Sequence, residues 1–550
     1  MLDVGRLNSA EWRRSAIPLF VFVLGILLLS LGIWAEGGVT HVDEHGRSFR
    51  IPLAMLGRDS WLTPWVDGGP ALRKPPLVYW LILGNYKLLG VSLWSARLWP
   101  VILASGFAAC CSLIHREVSK SDGLLAGLLA LASFGVAYYG RMALLDMPVA
   151  FFTTLTIWLA LKWGKTGRVG WILAAGLALG LGFMTKGPIV FLTVGTTALA
   201  ALVAFDKWHF VRSHWRQVLA ALVVCLAMSM WWPLLMAARW PTFVATASKE
   251  TIGLRSVGRF APSSQILVGT LGLIFPWTLV LIGALVSFVV SWKRRPSWFT
   301  TDWWLVLWLV LGIIPFLFFK TYDRYLIPLL PAMCALGAGW LERAVGRAPG
   351  ILTSLTLTIG SLSALPFAFL GLWFGLGVVW SIISLMLAMT LAIMAWRRVG
   401  ARVVAAAVAI HLTVLIGGLY PSFGIYELPA GLRETVGQRP VAQFETKRPR
   451  LLPTRLGRPV LRVRSANIQE RLFGQASEVV VFLMESKEEK FVERVLELGA
   501  TYRELGHFSD FTRNTTWDDW RHAIATRSLA GVKTSFRYYL VRPNRGGLGG

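Results

Sequence analysis

The chain has 550 residues, 55% of them hydrophobic and only 15% charged, with a formal net charge of +26. Soluble proteins of this length carry about a quarter charged residues, so the composition excludes a soluble globular fold and indicates a polytopic membrane protein. The Lys and Arg residues are dispersed between apolar runs, which sets nucleic acid aside as a partner and points to topology and anionic membrane lipid.

Arg13 and Arg14 precede the first apolar run, and no small-residue cleavage site follows, so that run is predicted to be a retained anchor. Runs long enough to cross a bilayer number thirteen: 16–34, 92–114, 122–140, 144–163, 169–186, 187–205, 217–236, 266–291, 303–320, 324–342, 351–372, 374–397 and 401–420. Pro75–Gly90 mixes Tyr79, Trp80, Tyr86 and Lys87 into apolar sequence and is predicted to be a juxtamembrane helix at the interface. Cys110, Cys111, Cys225 and Cys334 all lie in apolar segments, as small buried hydrophobes without a disulfide or metal framework.

With the N-terminus inside, every inner loop is basic, from Arg116 and Lys120 through Lys293, Arg294 and Arg295 to Arg397, Arg398 and Arg402. That orientation puts five charged stretches on the outer face: the loop opening at Asp43, Arg141 to Asp146, Thr185–Lys186, 237–264 and Lys320 to Arg324. Charge beside apolar segments is costly and marks a substrate path, so the five suggest one site. The loop 237–264, with Lys249, Glu250, Arg255 and Arg259, is predicted to cover it.

Hydropathy falls after residue 420. Val479–Met484 and Ser535–Val541 are predicted strands, with an amphipathic helix over 485–498. The division is thus a membrane catalytic domain over 1–420, with outer loops 35–91 and 237–264 forming the site, and a small α/β domain over 421–550. An odd number of spans places that domain outside, in the periplasm, and Asn544–Gly550 is predicted to be a loose tail. The sequence has no Walker-type phosphate loop and no GxGxxG in a strand-to-helix context.

Four motifs carry chemistry: Asp43-Glu44-His45-Gly46-Arg47, Arg141-Met142-Ala143-Leu144-Leu145-Asp146-Met147-Pro148, Thr185-Lys186-Gly187-Pro188 and Arg324-Tyr325-Leu326-Ile327-Pro328. Together with Lys74-Pro75-Pro76-Leu77-Val78-Tyr79-Trp80, in this order, they resemble the GT-C glycosyltransferases. The similarity is to the branch that holds the protein O-mannosyltransferases and the lipid A aminoarabinose transferase. The resemblance implies an all-α membrane fold with outer-face juxtamembrane helices. It also implies transfer of a sugar, with inversion, from a polyprenyl (undecaprenyl) phosphate carrier to lipid A or another outer-face acceptor, at a bacterial inner membrane. The sugar would be an amino sugar such as 4-amino-4-deoxy-L-arabinose or a hexosamine.

The leaving group is a phosphate already activated on its lipid, so no cofactor is required. Cations must hold that phosphate as charge develops on it. Lys74, Lys186 and Arg324 are the candidates, backed by Arg141, Arg255 and Arg259. The resemblance gives Asp43 the acceptor's proton, Asp146 an orienting role and Tyr325 a place beside the carrier phosphate; Glu44, next to Asp43, is a further catalytic candidate. One departure concerns metal: Arg73 stands where the family has a Glu that helps hold a divalent cation, so no metal site is assigned. His41 and His45 lack a matching acidic or Cys frame for one. Two rival readings are a protein O-mannosyltransferase-like enzyme and a transporter or flippase for a lipid-linked sugar.

Overall fold

The computed structural model describes residues 9–66, 68–252, 263–318, 322–343, 347–397, 399–448, 450–468, 477–511 and 515–542. Among the described residues, eight helices are long and apolar enough to cross a membrane; the count is nine if Ser264–Leu273 and Thr278–Val290, bent by 103°, form one span. The chain is a multi-pass membrane protein.

Two predicted spans are broken instead of continuous. The run 122–140 divides into Leu124–Leu131 and Phe134–Tyr139, and the run 266–291 bends between Leu273 and Thr278. Ser133 opens the second helix of the first pair: its hydroxyl donates to the Ala130 carbonyl at 2.7 Å and accepts the Val136 N–H at 3.4 Å. Pro276 brings no N–H to the other break. Backbone groups freed at membrane depth need partners within the protein. Here each break serves the other. The Phe134 N–H donates to the Phe275 carbonyl at 2.8 Å, and the Trp277 indole N–H donates to the Ala132 carbonyl at 3.1 Å.

The first helix, Ser9–Ser30, ends where the last one crosses it. Gly32 has φ +80°, and a Cβ on it would lie 2.1 Å from the Gly417 carbonyl oxygen. A Cβ on Gly417 would lie 2.5 Å from the Leu31 carbonyl oxygen. Small residues allow this backbone-to-backbone approach.

The predicted juxtamembrane helix is present as Leu77–Leu89, joined by a second, Arg50–Gly57, which the sequence did not signal. The predicted cover contains a helix, Phe243–Ile252; Arg255, Arg259 and Lys320 lie outside the described residues.

The C-terminal segment forms a five-stranded mixed sheet. Its strands run in the order Leu461–Val463, Val441–Phe444, Val479–Met484, Lys533–Arg542, Thr501–Phe511, with the first three parallel and the rest antiparallel. Successive residues of Val479–Met484 face opposite sides. Val479, Val481 and Leu483 meet Phe491 and Val495 of the helix Glu488–Glu497. Val480 and Phe482 join Phe49, Tyr79, Ile82 and Tyr86 from the juxtamembrane helices and their approach. The sheet therefore shares its second core with residues 49–96 of the membrane part. One part of the core thus runs across residue 420, while the part around Val481 and Phe491 lies wholly beyond it.

Gly32→Val is expected to destabilise the detergent-purified protein by about 2 kcal/mol or more, from overpacking together with the positive φ. Gly46→Ala, where an added Cβ meets nothing within 4 Å, is the control. Thermal unfolding of both variants checks this; equal melting temperatures would contradict the close contact.

Candidate active site

Local sequence chemistry delivers each charged group. Lys186 is the last residue of the helix Val169–Lys186. Gly187 follows at φ +90°, donating its N–H to the Phe183 carbonyl at 2.7 Å, and Pro188 leads into the next helix. A glycine turn with proline after it ends one helix and starts another, leaving the lysine at the tip. Asp146 opens the helix Asp146–Thr166, where the N-terminal dipole favours a carboxylate, and Pro148 sits where no intrahelical N–H bond is lost. Arg324 lies in the 3₁₀ stretch Asp323–Leu329. Pro328 and Pro331 cannot donate to the carbonyls four residues back, so the chain runs as tighter turns until Leu330–Arg343 continues as α-helix.

Arg324 is the hub. Its Nη2 donates to Asp43 Oδ2 at 2.8 Å, its Nε lies 3.3 Å from Asp146 Oδ2, and its Nη1 lies 2.9 Å from His41 Nε2. Lys186 Nζ donates to the other oxygen of Asp146, Oδ1, at 2.5 Å, and rides 3.8 Å above the Tyr325 ring. Tyr139 donates its hydroxyl proton to Asp323 Oδ2 at 2.6 Å, bracing the turn that carries Arg324. Burial, with the Arg324 charge beside it, lowers the His41 pKa and keeps the ring neutral.

Asp43, Asp146, Lys186, Arg324 and Tyr325 are thus brought together from four separate stretches of chain. Lys74 lies half-buried along the cavity that Asp43 also lines. Arg73 is exposed and lines it as well.

Two expected site residues do other work. Glu44 is fully buried, and both its oxygens are engaged. Arg97 donates to it from Nε at 2.8 Å and from Nη2 at 3.0 Å, the Ala143 N–H at 2.9 Å and the Thr40 hydroxyl at 2.8 Å. Burial alone would raise its pKa; the Arg97 guanidinium outweighs that and holds the carboxyl below its ordinary value. Glu44 therefore anchors the Asp43 loop and has no exposed face for substrate. Burial pushes the neighbouring His45 down to about 3, so it is neutral and sits against Thr40 Oγ1 at 2.5 Å. Arg141 does not pair with Asp146. It donates to the carbonyls of Leu28, Leu31 and Ala137, at or near the C-terminal ends of two helices, where a cation complements the dipole. Arg97 was missed although it carried a signal: a lone arginine inside an apolar run. Among the described residues, no group of three or more His, Cys, Asp or Glu could hold a metal ion.

The helical bundle thus gathers two carboxylates with an arginine and a lysine, and three comparisons with known proteins bear on it. The fold is that of ArnT from Cupriavidus metallidurans bound to undecaprenyl phosphate, with a TM-score of 0.70 over 96% of this chain and 98% of that one, at 17% identity. The apo form of that protein matches with a TM-score of 0.67 over 86% of this chain and 94% of that one, at 18% identity. In sequence, a family model described as dolichyl-phosphate-mannose-protein mannosyltransferase matches residues 73–232. An undecaprenyl phosphate-alpha-4-amino-4-deoxy-L-arabinose arabinosyl transferase 2 of Pseudomonas fluorescens is 27% identical over 66% of this chain and 66% of its own length. Its counterpart in Pseudomonas aeruginosa is 28% identical over 64% of this chain and 66% of its own. The chain is similar, in sequence and in fold, to the branch its motifs suggested, and the sequence matches span just under two thirds of those relatives.

Breaking the buried Glu44–Arg97 pair should be structural in effect. Glu44→Ala is expected to cost about 3–5 kcal/mol, the range for stranding a buried charge. Asp43→Asn, at a half-exposed carboxylate, should shift stability by no more than about 1 kcal/mol. Denaturant titrations of the two variants separate these roles.

Proposed function

We propose that this protein is an integral inner-membrane glycosyltransferase. It moves a sugar from a polyprenyl phosphate carrier of the undecaprenyl type to lipid A or a related lipid at the periplasmic face. The basic residues at the inner ends of the apolar runs support a periplasmic position for the C-terminal sheet and the Asp43 cluster. The relatives' names favour an amino sugar of the 4-amino-4-deoxy-L-arabinose type.

The observation that carries the reading is the Arg324 hub with Lys186 beside it. Two acids and two cations cancel in formal charge, leaving a neutral cluster that can take up a phosphate only by exchanging partners. The carrier phosphate competes with Asp43 for Arg324 Nη2 and with Asp146 for Lys186. Arg324 and Lys186 then stabilise the negative charge that grows on the phosphate as its bond to the anomeric carbon breaks. Asp43, released from Arg324, faces the incoming acceptor. With a hydroxyl acceptor, Asp43 takes its proton as the oxygen bonds to the anomeric carbon. With a phosphate acceptor there is no proton to remove, and Asp43 orients the nucleophile. Asp146 stays at its helix N-terminus and positions the two cations. The new bond forms on the face opposite the departing phosphate, which gives inversion.

The match to the mannosyltransferase family model keeps a protein O-mannosyltransferase-like activity as the second reading; the sheet built into the site region favours the glycolipid acceptor.

With a radiolabelled polyprenyl-phosphate sugar, Asp43→Asn is expected to slow transfer about a hundredfold or more while carrier binding persists. Full turnover by that variant would refute the assignment. Lys186→Ala should instead weaken undecaprenyl phosphate binding about tenfold or more, the worth of a charge-assisted hydrogen bond.

A further inference from the structure

A second cavity, of about 360 Å³, opens where the chain leaves the first helix and where the helix Leu93–Val118 begins. It shares no described lining residue with the cavity beside Asp43. Trp34 and Trp94 line it, one just past the end of the first helix and the other at the start of its neighbour, and both are exposed. Tryptophans at span ends sit at the level of the lipid headgroups, so the cavity lies at that level too. Below Trp34 the first helix carries Phe20, Val23 and Leu27, exposed and at helical spacing. That stripe is apolar surface for acyl chains, and it runs toward the cavity mouth.

The charged residues of the described lining balance: Arg433 and Arg455 against Glu36 and Glu434. Glu36 accepts from Arg455 Nη1 at 3.1 Å and from the Leu428 N–H at 3.0 Å, which ties the end of the first span to the C-terminal segment. Arg433 Nη2 donates to the Arg455 carbonyl at 3.0 Å, so the two arginine-bearing turns lie side by side. A guanidinium has five N–H donors, and each of these can serve a phosphate oxygen as well. Exposed Glu434 stands next to Arg433 in the helix Leu432–Val436. A polar space with two cations and two acids matches a ligand that carries one charge of each sign, and a carboxylate accepts hydrogen bonds from a primary ammonium but none from a quaternary one. We propose that this cavity seats the headgroup of a membrane phospholipid bearing a phosphate and a primary ammonium, a phosphoethanolamine headgroup, with its acyl chains along the stripe of Phe20, Val23 and Leu27. The phosphate lies between Arg433 and Arg455 and the ammonium on Glu434. This lipid is neither sugar donor nor acceptor, so the site stands apart from the glycosyltransferase reading. It fastens the C-terminal segment to two span ends beside the chain that leads from Glu36 to Asp43.

The test titrates delipidated full-length protein with phosphatidylethanolamine, phosphatidylcholine and phosphatidylglycerol of identical chains, counting bound lipids by native mass spectrometry. Wild type should bind phosphatidylethanolamine at least about tenfold more tightly than the other two. Arg433→Ala/Glu434→Ala, at two exposed positions, should erase that preference and leave undecaprenyl phosphate binding unchanged, while Arg433→Lys/Glu434→Asp should keep it within about threefold. Phosphatidylethanolamine affinity within about twofold of wild type in the alanine variant would overturn the site, as would a parallel loss of undecaprenyl phosphate binding. Equal binding of phosphatidylcholine by wild type would overturn the primary ammonium, and equal binding of phosphatidylglycerol the zwitterionic headgroup. A phosphatidylethanolamine with a diazirine close to its glycerol gives the position. It should label peptides holding Trp34 and Trp94 in wild type and lose that labelling in the alanine variant. Labelling confined to the helices Arg347–Trp373 and Val378–Arg397 would contradict the site.

Discussion

One guanidinium determines how the site is built. Arg324 reaches Asp43 on one side and Asp146 on the other, and Lys186 closes the second oxygen of Asp146. Each acid alone at the edge of an apolar bundle would be costly, and each cation alone would be equally so. Held together they are neutral and fixed in place, yet each keeps a partner that a phosphate can replace. The same contacts that stabilise the empty site thus define where an anion enters and which carboxylate it releases.

Everything around the hub keeps it in register. The Asp43 loop cannot drift, because the next residue, Glu44, is locked to Arg97 from another helix and to the backbone of Ala143. The Arg324 turn is braced through Asp323 by Tyr139, at the end of a helix whose own start is tied to the bend at Phe275. Breaks in membrane helices leave polar backbone groups that must be met inside the protein. Here those meetings join the elements that carry the site.

Much of the site was legible because its signals were local. Thr185-Lys186-Gly187-Pro188 states a helix end, a reversal and a helix start in four residues. Arg141 through Pro148 correctly placed Asp146 at a helix start, but the arginine of that motif turned away to cap carbonyls, an outcome decided by which helix ends lay nearby. Glu44 looked like the twin of Asp43. Its distinct role depends on Arg97, which is 53 positions later, and no spacing rule connects the two. The strand Val479–Met484 was visible as a run of six apolar residues, since both its faces are buried. Thr501–Phe511 is a largely exposed edge strand with little apolar alternation, and it gave no signal. The change in hydropathy near residue 420 is real. One part of the core runs across it, because helices from the first outer loop cover one face of the sheet, while the sheet's other face has a core of its own.

The exchange of partners at Arg324 can be seen directly in a cryo-EM structure of the protein with undecaprenyl phosphate bound. The carrier phosphate should contact both Lys186 and Arg324, with the Arg324–Asp43 distance lengthened beyond its 2.8 Å. A phosphate bound away from these two cations, with the Arg324–Asp43 pair intact, would contradict the role given to the hub.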